Sequence, residues 1–452
     1  MKKDMKNNTK FINIKRLTGL VLVIIGFCFN KIFLGNFFSP YAIIEINNRV
    51  PIWLISLFFI SLGLGALIFN KSHFSLKKID KIYKYIAVTF FSTILLFLFV
   101  NVFIYLCFIV RDTIAYRNQI FLSYRQPLEP LYPLLSKRQV NELLYETWSR
   151  PYVYEPYTGF KERPFKGKYI NVSNDGFRLV NNQGPWPPDL KNLNVFLFGG
   201  STTFGYGVRD GESVPSNIQD LLSQKTNKKV CVYNFGRGNY FSSQERILYE
   251  KLLTLGYIPD IAVFIDGLND FYYNSDDPLF TEQFKNFVNG KSNFLLNLPL
   301  LKFAELFRDV NKTSIRFNRQ EVQEKDYNDK ELIKTVIERY FKNKKAIDTI
   351  SSSFNVKTFF IWQPVPTYKY DLSYHIFAGK GFGRFMYSKY GYTYMEEFIK
   401  NNDIGNNFLW LADMQEELKK PLYIDIDHYS PWMSKEIAMR ISDFLISKLK
   451  II

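Results

Sequence analysis

The chain has 452 residues and a formal net charge of +16, and hydrophobic residues make up 47% of it. This length suffices for one large domain with an appendage, or for two domains. The first 84 residues contain 13 Lys and Arg against three Asp and Glu, so most of the excess positive charge belongs to a hydrophobic N-terminal region. No basic stripe stands out in the remainder, which excludes nucleic acid as a partner.

Three long apolar segments come first in the chain. The first covers about residues 17–38 and is interrupted by Asn30 and Lys31, whereas the second, 51–69, and the third, about 85–110, carry no charge. The last two are long enough to cross a hydrocarbon layer of about 30 Å. Burial in a soluble domain is the alternative, and it has most weight for the first segment because a lysine is costly in mid-bilayer. We predict three transmembrane helices.

Basic residues indicate how these helices are oriented. The N-terminal arm is rich in lysine, and the loop between the second and third segments has lysines at positions 71, 77, 78, 81 and 84. Basic loops of this kind stay in the cytoplasm. We therefore predict a multi-pass membrane protein with a cytoplasmic N-terminus and a membrane anchor at residues 1–110. Everything after Arg111 would lie outside the cytoplasm, in the periplasm or the extracellular space.

Residues 111–190 are rich in Tyr and Pro and show few periodic runs. Within them, the stretch Asn174-Asp175-Gly176-Phe177 is typical of a tight turn between short strands, and Arg178 follows it. We predict that these residues form a connector that packs on the domain after it.

From Asn194 onward, apolar strands alternate with amphipathic helices. Such alternation predicts an α/β fold with a doubly wound parallel sheet of the flavodoxin-like type, over residues 191–452. An irregular, aromatic-rich stretch at about residues 275–345 would be an insertion or lid. The predicted strands are 195–198, 229–233, 261–265, 357–362 and 408–411, and the predicted helices are 213–222, 243–255 and one that begins after Ser430-Pro431.

A serine follows the first of these strands. The apolar run 195–198 ends at Gly199 and Gly200, so Ser201 lies just past the carboxyl end of a buried strand, where open α/β sheets place their ligands. Taken alone, this pattern is also typical of a structural turn or a phosphate-binding loop. No Gly-Lys-Ser/Thr follows and the Gly-x-Gly-x-x-Gly spacing is absent, which disfavours a nucleotide site. Ser201 is therefore a candidate nucleophile.

Three further motifs follow later strands or precede the last helix. Loops after adjacent parallel strands meet at one edge of the sheet, so residues of these motifs could converge with Ser201. The motifs are Asn234-x-Gly236-x-Gly238-Asn239, Gly267-x-Asn269-Asp270 and Asp425-Ile426-Asp427-His428.

Acyl transfer requires such a set of residues. A serine hydroxyl needs a base to take its proton, and a carboxylate to orient that base. The backbone N–H groups of Ser201 and Gly238 and the side-chain amide of Asn269 could bind the oxyanion. Of the histidines, His73 lies in the predicted cytoplasmic loop, and neither His73 nor His375 belongs to any of these motifs.

That leaves His428 as the candidate base. Asp427 is a possible partner for it, but because it is adjacent in sequence we expect it to reach the imidazole poorly. We therefore favour Asp425, which lies three residues before the histidine.

The four motifs, in this order, resemble the four blocks of the SGNH hydrolases, also called GDSL-type esterases. The likeness covers about residue 191 to the C-terminus and suggests a membrane-anchored member. It implies that Ser201 is the nucleophile and first oxyanion donor, with Gly238 and Asn269 as the other donors. It also implies His428 as the base and Asp425 as its partner. Two positions depart from the family pattern, since Gly200 replaces the usual acidic residue and Asn239 stands where some members have the glycine.

These features favour a membrane-anchored serine esterase that acts on an acylated carbohydrate, envelope glycan or lipid. An O-acyltransferase with the same Ser-His-Asp set is the nearest alternative. A non-catalytic glycan-binding or assembly module is a third hypothesis, which the complete set of candidate residues disfavours. We expect the lipid bilayer and the acylated substrate as partners, and neither a metal nor an organic cofactor. The sequence indicates no protein partner.

Overall fold

The computed structural model describes residues 19–27, 52–68, 77–123, 128–289, 299–300, 303 and 327–449. The chain divides into two units, one of residues 1–111 with 284–320 and one of residues 112–283 with 321–452. The first unit contains the apolar helices, and the second contains an α/β domain.

The described residues near the N-terminus are helical and apolar. Residues 19–27 are helical, helix α1 spans Ile52–Ile68, and helix α2 spans Lys77–Ser123. Within the described part of the chain, one stretch is both long and apolar enough to cross a membrane, Ala87–Arg111 in α2.

The structure thus supplies one candidate membrane span where the sequence predicts three. The second predicted segment forms α1, whose 17 residues are about a turn shorter than the roughly 20 residues of a typical span. Most of the first segment lies outside the described residues. The third predicted segment, about 85–110, coincides with this candidate span, and its helix continues beyond the span to Ser123 through residues that include neither Pro nor Gly.

Small residues allow the helical segment 19–27 to approach α1 closely. The Ser56 hydroxyl donates a 2.7 Å hydrogen bond to the Gly26 carbonyl. A Cβ atom at Gly63 would come within 2.7 Å of the Gly19 carbonyl oxygen, so a larger residue would push the two helices apart. Small residues and hydroxyl-to-carbonyl hydrogen bonds are typical of helices that associate within lipid.

The second unit is built around a five-stranded parallel sheet. Its strands are β5 to β9 of the chain, and their order across the sheet is β6-β5-β7-β8-β9. This order, 2-1-3-4-5 along the sheet, is the flavodoxin-like arrangement predicted from the sequence. The strands span Leu193–Gly199, Val230–Asn234, Ile261–Asp266, Lys357–Trp362 and Phe408–Trp410.

Each face of the sheet has its own core. One face is aromatic, and Phe264 at its centre stacks on Phe198 and Phe360 with ring centroids 4.8 and 5.3 Å away. The other face carries aliphatic side chains such as Leu197 and Val263, both fully buried. Since successive side chains of a strand point to opposite faces, this division follows from the alternation of aromatic and aliphatic residues in the strands.

Helices cover both faces. Helices α6 (Ser242–Thr254), α9 (Lys330–Ser353) and α10 (Met386–Asn401) pack on the aromatic face, and α5 (Val214–Ser223) and α11 (Pro431–Leu449) pack on the aliphatic face. Residues 330–345, which the sequence analysis assigned to a lid, therefore belong to a helix of the core. The buried face of α9, with Ile333, Val336, Ile337 and Tyr340, explains this.

Short elements precede the sheet and connect its strands. A capping box at Ser136 and Gln139 begins helix α3, and the connector then pairs with the edge of β6 through the Arg178 N–H and the Asn234 carbonyl, 2.9 Å apart. The short elements are α3 (Lys137–Trp148), β1 (Tyr152–Glu155), β2 (Gly159–Glu162), β3 (Phe165–Lys166), β4 (Asn171–Val172), α4 (Ser201–Phe204), α7 (Leu268–Tyr272) and α8 (Thr281–Val288).

Replacing Phe264 by Ala tests the aromatic core. Phe264 is fully buried, so we expect Phe264→Ala to lower the free energy of unfolding by about 3–5 kcal/mol, through lost burial and the cavity left behind. The measurement is denaturant unfolding of the detergent-solubilised protein, with Leu190→Ala as the control. Leu190 is 86% exposed, and its replacement should change stability by no more than about 0.5 kcal/mol. Equal effects of the two substitutions would contradict the buried position of β7.

Candidate active site

Ser201 lies at the junction of the central strand and a short helix. Strand β5 ends at Gly199, and α4 begins at Ser201 at the carboxyl edge of the sheet. The side chain of Asn269 lies so close to Gly200 that a Cβ atom there would collide with its amide nitrogen. Glycine at position 200 therefore leaves room for the Asn269 amide. Ser201 itself is 8% exposed.

The loop before α11 folds back on itself and fixes a carboxylate. The Ile424 N–H donates to the His428 carbonyl at 2.9 Å, which closes the loop. Asp425 Oδ1 accepts hydrogen bonds from the N–H groups of Asp427 and His428, at 3.1 and 2.8 Å. The carboxylate is thus held by the backbone of its own loop before it contacts any other side chain.

This loop brings its imidazole to the serine. The His428 Nε2 lies 2.8 Å from the Ser201 Oγ, although the two residues are 227 positions apart in the chain. The His428 Nδ1 lies 2.8 Å from Asp425 Oδ2. Hydroxyl, imidazole and carboxylate therefore form one hydrogen-bonded chain in which His428 bonds to a different group on each side of its ring.

The charges of the loop favour a protonated imidazole. Burial alone would lower the pKa of His428, but the carboxylates of Asp425 and Asp427 outweigh it and raise this pKa to about 9. Burial would raise the pKa of Asp425, yet the facing His428 and the loop N–H groups lower it to about 2. Asp425 thus stays ionised beside an imidazole that readily accepts a proton.

Asp427 lies closer to the imidazole than its sequence position suggests. Its Oδ1 is 3.3 Å from the His428 Nδ1, because the tight loop turns both carboxylates toward the ring. The expectation that Asp427 reaches the imidazole poorly is therefore wrong. Asp425 still makes the shorter contact, and burial beside Asp425 raises the pKa of Asp427 to about 7. Asp425, Asp427 and His428 each offer one possible metal-ligand atom, and these atoms lie within 4.8 Å of one another. A metal ion bound through the His428 Nδ1 would displace the hydrogen bond from that nitrogen to Asp425.

Asn269 approaches Gly200, the residue before the serine, from the turn that follows the neighbouring strand β7. It lies in the first turn of α7, which follows Gly267, a residue with φ of 127° that favours glycine. One hydrogen of the Asn269 amide bonds to the Tyr240 carbonyl at 2.7 Å. An amide group has two hydrogens, so the second can serve a ligand next to Gly200 and Ser201.

The second predicted oxyanion donor has a partner within the protein. The Gly238 N–H donates to Glu162 Oε1 at 3.1 Å, which engages it away from any substrate. The next residue, Asn239, has φ of 63°, the left-handed conformation that glycine usually supplies. Its side chain is held by Tyr152 and Tyr273 at 2.9 Å each.

Gln363 connects the two halves of the site. Its Oε1 accepts a 2.7 Å hydrogen bond from the Thr202 hydroxyl, and the Tyr429 hydroxyl lies 3.0 Å from the same oxygen and 2.7 Å from the Pro364 carbonyl. Thr202 and Tyr429 are the chain neighbours of Ser201 and His428, so this single amide ties the serine turn to the histidine loop. The sequence analysis did not identify this role, because nothing in the pattern after β8 marks it.

His375 also supports the loop. It is 5% exposed, and its Nδ1 accepts a hydrogen bond from the Phe377 N–H at 3.1 Å. Its Nε2 therefore carries the hydrogen and donates to the Ile426 carbonyl at 3.3 Å. Burial lowers the pKa of His375, which favours this neutral form. His375 thus contacts the backbone between the two aspartates rather than the serine.

A buried arginine holds the turn after Ser201. Arg178 is fully buried, and its guanidinium donates to the carbonyls of Phe204, Gly205 and Val208 and to the Asp210 carboxylate. It thereby satisfies carbonyls that the short helix α4 leaves without partners. The sequence placed Arg178 after a turn and gave no sign of this contact.

Comparisons with known proteins find similarity only among solved structures, at low sequence identity. Neither a protein-family model nor a curated protein matches the chain. Solved structures with a similar fold include an esterase, EstA, from Pseudoalteromonas sp. (12% identity, 57% of this chain, 100% of that chain, TM-score 0.31).

A second is a lipase/acylhydrolase from Enterococcus faecalis (13% identity, 56% of this chain, 96% of that chain, TM-score 0.31). A third is a lipolytic protein of the G-D-S-L family from Veillonella parvula (11% identity, 55% of this chain, 96% of that chain, TM-score 0.29). At this level of similarity, they identify neither a substrate nor a site residue.

The charge of the loop predicts how the serine's reactivity depends on pH. We expect the rate of fluorophosphonate labelling of Ser201 to rise with pH to a midpoint near 9, as His428 loses its proton. Asp425→Asn removes a negative charge that favours the imidazolium, so the midpoint should move to lower pH while the maximal rate falls. Asp403→Asn, a substitution of an exposed aspartate, is the control. A midpoint that moves up in Asp425→Asn would contradict this electrostatic account.

Proposed function

We propose that this protein is a serine esterase of the SGNH type. The observation that supports the proposal is the hydrogen-bonded chain from the Ser201 hydroxyl through His428 to Asp425, with 2.8 Å contacts on both sides of the ring. Nucleophile and base lie within hydrogen-bond reach, and a third group orients the base, as covalent catalysis of acyl transfer requires.

The reaction follows from these positions. Ser201 Oγ attacks the ester carbonyl carbon and passes its proton to His428 Nε2, and Asp425 stabilises the imidazolium. The tetrahedral intermediate collapses as His428 protonates the leaving alkoxide oxygen, which leaves an acyl group on Ser201. Water then attacks the acyl carbon and gives a proton to His428 Nε2. The bond from the acyl carbon to Ser201 Oγ breaks as His428 returns this proton to Oγ, which releases the carboxylic acid and free Ser201.

Two donors support the oxyanion in this mechanism. The Ser201 N–H begins α4, and N–H groups of a first helical turn have no partner within the helix. The second hydrogen of the Asn269 amide is the other donor. Gly238 remains a predicted donor from the sequence, but its N–H would first have to leave Glu162. A preorganised donor of this kind contributes about 10²–10³-fold to turnover.

The substrate and the location complete the proposal. We infer an acylated carbohydrate, envelope glycan or lipid as substrate, met outside the cytoplasm by a membrane-anchored enzyme. The exposed apolar side chains of α2, such as Leu95 and Phe99, suit contact with lipid. Transfer of the acyl group to a sugar hydroxyl would use the same three side chains, and product analysis with and without a polysaccharide acceptor distinguishes the two reactions.

Substitution of the nucleophile tests the esterase activity. We expect Ser201→Ala to lower the hydrolysis of a chromogenic acetyl ester by about 10⁴-fold or more, because no other group can form the acyl-enzyme. Ser201→Ala/His428→Ala should lose no more than the single variants, since the two residues act as one unit. The control is Ser352→Ala, which removes an exposed hydroxyl at the end of α9. Undiminished hydrolysis by Ser201→Ala would contradict the proposal.

Cysteine labelling tests the orientation. In a variant whose native Cys28, Cys107 and Cys231 are replaced, we expect Leu190→Cys to react with a membrane-impermeant maleimide on intact spheroplasts. Lys78→Cys should react only after permeabilisation, because basic loops stay in the cytoplasm. The reverse pattern would show that the catalytic unit faces the cytoplasm.

A further inference from the structure

Glu162, in the connector ahead of the sheet, is a buried charge close to the candidate active site. It ends strand β2 and is 2% exposed. Arg150 Nη1 lies 2.9 Å from Glu162 Oε2, and neither side chain of the pair is more than 2% exposed. A buried ion pair is weak evidence of stabilisation by itself, because desolvation opposes the attraction. The burial of Glu162 therefore requires a reason other than the ion pair.

One oxygen of this carboxylate holds two segments of the active site. Glu162 Oε1 accepts a hydrogen bond from the Tyr206 hydroxyl at 2.8 Å and another from the Gly238 N–H at 3.1 Å. A carboxylate oxygen has lone pairs for both donors. Burial, and then the negative charge of Glu162, raise the pKa of Tyr206 well above its usual range, so the phenol keeps its proton and remains a donor.

Tyr206, which donates to Glu162, also packs against the candidate base. Its ring lies parallel to the His428 imidazole, with 5.3 Å between the ring centroids and 16° between the planes. Trp148 meets the same imidazole edge-on, with centroids 5.5 Å apart. The two aromatic rings limit how far the imidazole can turn away from the Ser201 hydroxyl, and they exclude water from one side of it.

Gly238, the second donor to Glu162, belongs to the loop beside the proposed oxyanion site. A Cβ atom at Gly238 would collide with the hydroxyls of Tyr152 and Tyr206, so only glycine fits there. Those two hydroxyls lie 3.0 Å apart, and Tyr152 also accepts a hydrogen bond from the Asn239 side chain. The loop is thus bonded to the same group of side chains that packs on the base.

We propose that Glu162 is a positioning residue that uses one carboxylate oxygen to hold both the Tyr206 ring against His428 and the Gly238 loop beside Ser201. In this arrangement the Gly238 N–H anchors the loop instead of binding the oxyanion. The inference rests on the proposed esterase function. Its alternative is that the Arg150–Glu162 pair only stabilises the connector.

Glu162→Gln is the main test, because it keeps the size of the side chain but removes its charge and replaces one acceptor oxygen with an amide NH2 group, which can only donate. We expect kcat for a chromogenic acetyl ester and the rate of fluorophosphonate labelling to fall by about 10–10²-fold, as displacement of reacting groups by about 1 Å does. KM should change little, since Glu162 does not touch the substrate. The control is Asp348→Asn, since this carboxylate also has a basic partner, Lys344, and accepts further hydrogen bonds from Thr358 and Asn407, but lies at the amino end of β8, away from the active site.

A double-mutant cycle separates positioning from simple stabilisation. Tyr206→Phe leaves the Arg150–Glu162 pair intact, so we expect a fall in kcat smaller than that of Glu162→Gln. The double variant should be no slower than Glu162→Gln alone, because both act through one contact. Tyr233→Phe, which removes a hydroxyl bonded to the Pro185 carbonyl in the core, is the control and should keep full activity.

The outcomes distinguish this inference from the proposed function. Wild-type protein without ester hydrolysis or serine labelling would overturn the esterase itself. An active wild type with unchanged kcat in both Glu162→Gln and Tyr206→Phe would overturn the positioning role alone, as would strictly additive losses in the double variant. If Glu162→Gln does not fold, as judged by its thermal unfolding, the comparison of kcat between Tyr206→Phe and Tyr233→Phe tests the inference. A lower kcat in Tyr206→Phe alone supports the positioning role, and equal values overturn it.

Discussion

The hydrogen bond between the Ser201 hydroxyl and the His428 imidazole is the contact on which the site depends. It joins residues 227 positions apart, so it exists only if the sheet places the end of β5 beside the loop that precedes α11. The packing of α11 beside α5, the helix that follows the serine turn, brings this loop to the carboxyl end of β5, and the strand order places that end between those of β6 and β7. Chemistry at this edge is therefore a consequence of topology.

The packing of the sheet keeps that edge in place. Aromatic side chains fill one face and aliphatic side chains the other, and helices cover both. The strands can then be apolar throughout, so polar groups occur at their ends, where Ser201, Gln363 and Asn269 follow β5, β8 and β7. Gln363 bonds to the neighbours of both the serine and the histidine, so it connects these loops without entering the reaction.

Electrostatics and the connector complete the site. Asp425 and Asp427 both face His428, and together they outweigh the effect of burial on its pKa. The connector supplies Glu162 and an aromatic wall against the imidazole, so residues far from the four motifs take part in shaping the site. The geometry of the site therefore involves the segment before the sheet as well as the sheet itself.

The sequence by itself determined the strands, the flavodoxin-like sheet and the four polar motifs, because strand periodicity, glycine turns and residue chemistry are local properties. It also located the apolar N-terminal segments, although of these only the stretch within α2 is a candidate span in the described part of the chain. The approach of Asp427 to the imidazole, the bond between Gly238 and Glu162, and the burial of Arg178 were decided by tertiary structure alone. These contacts depend on a tight turn or on segments distant in the chain, and neither leaves a periodic pattern in the sequence. Only the folded backbone brings the atoms within hydrogen-bond reach.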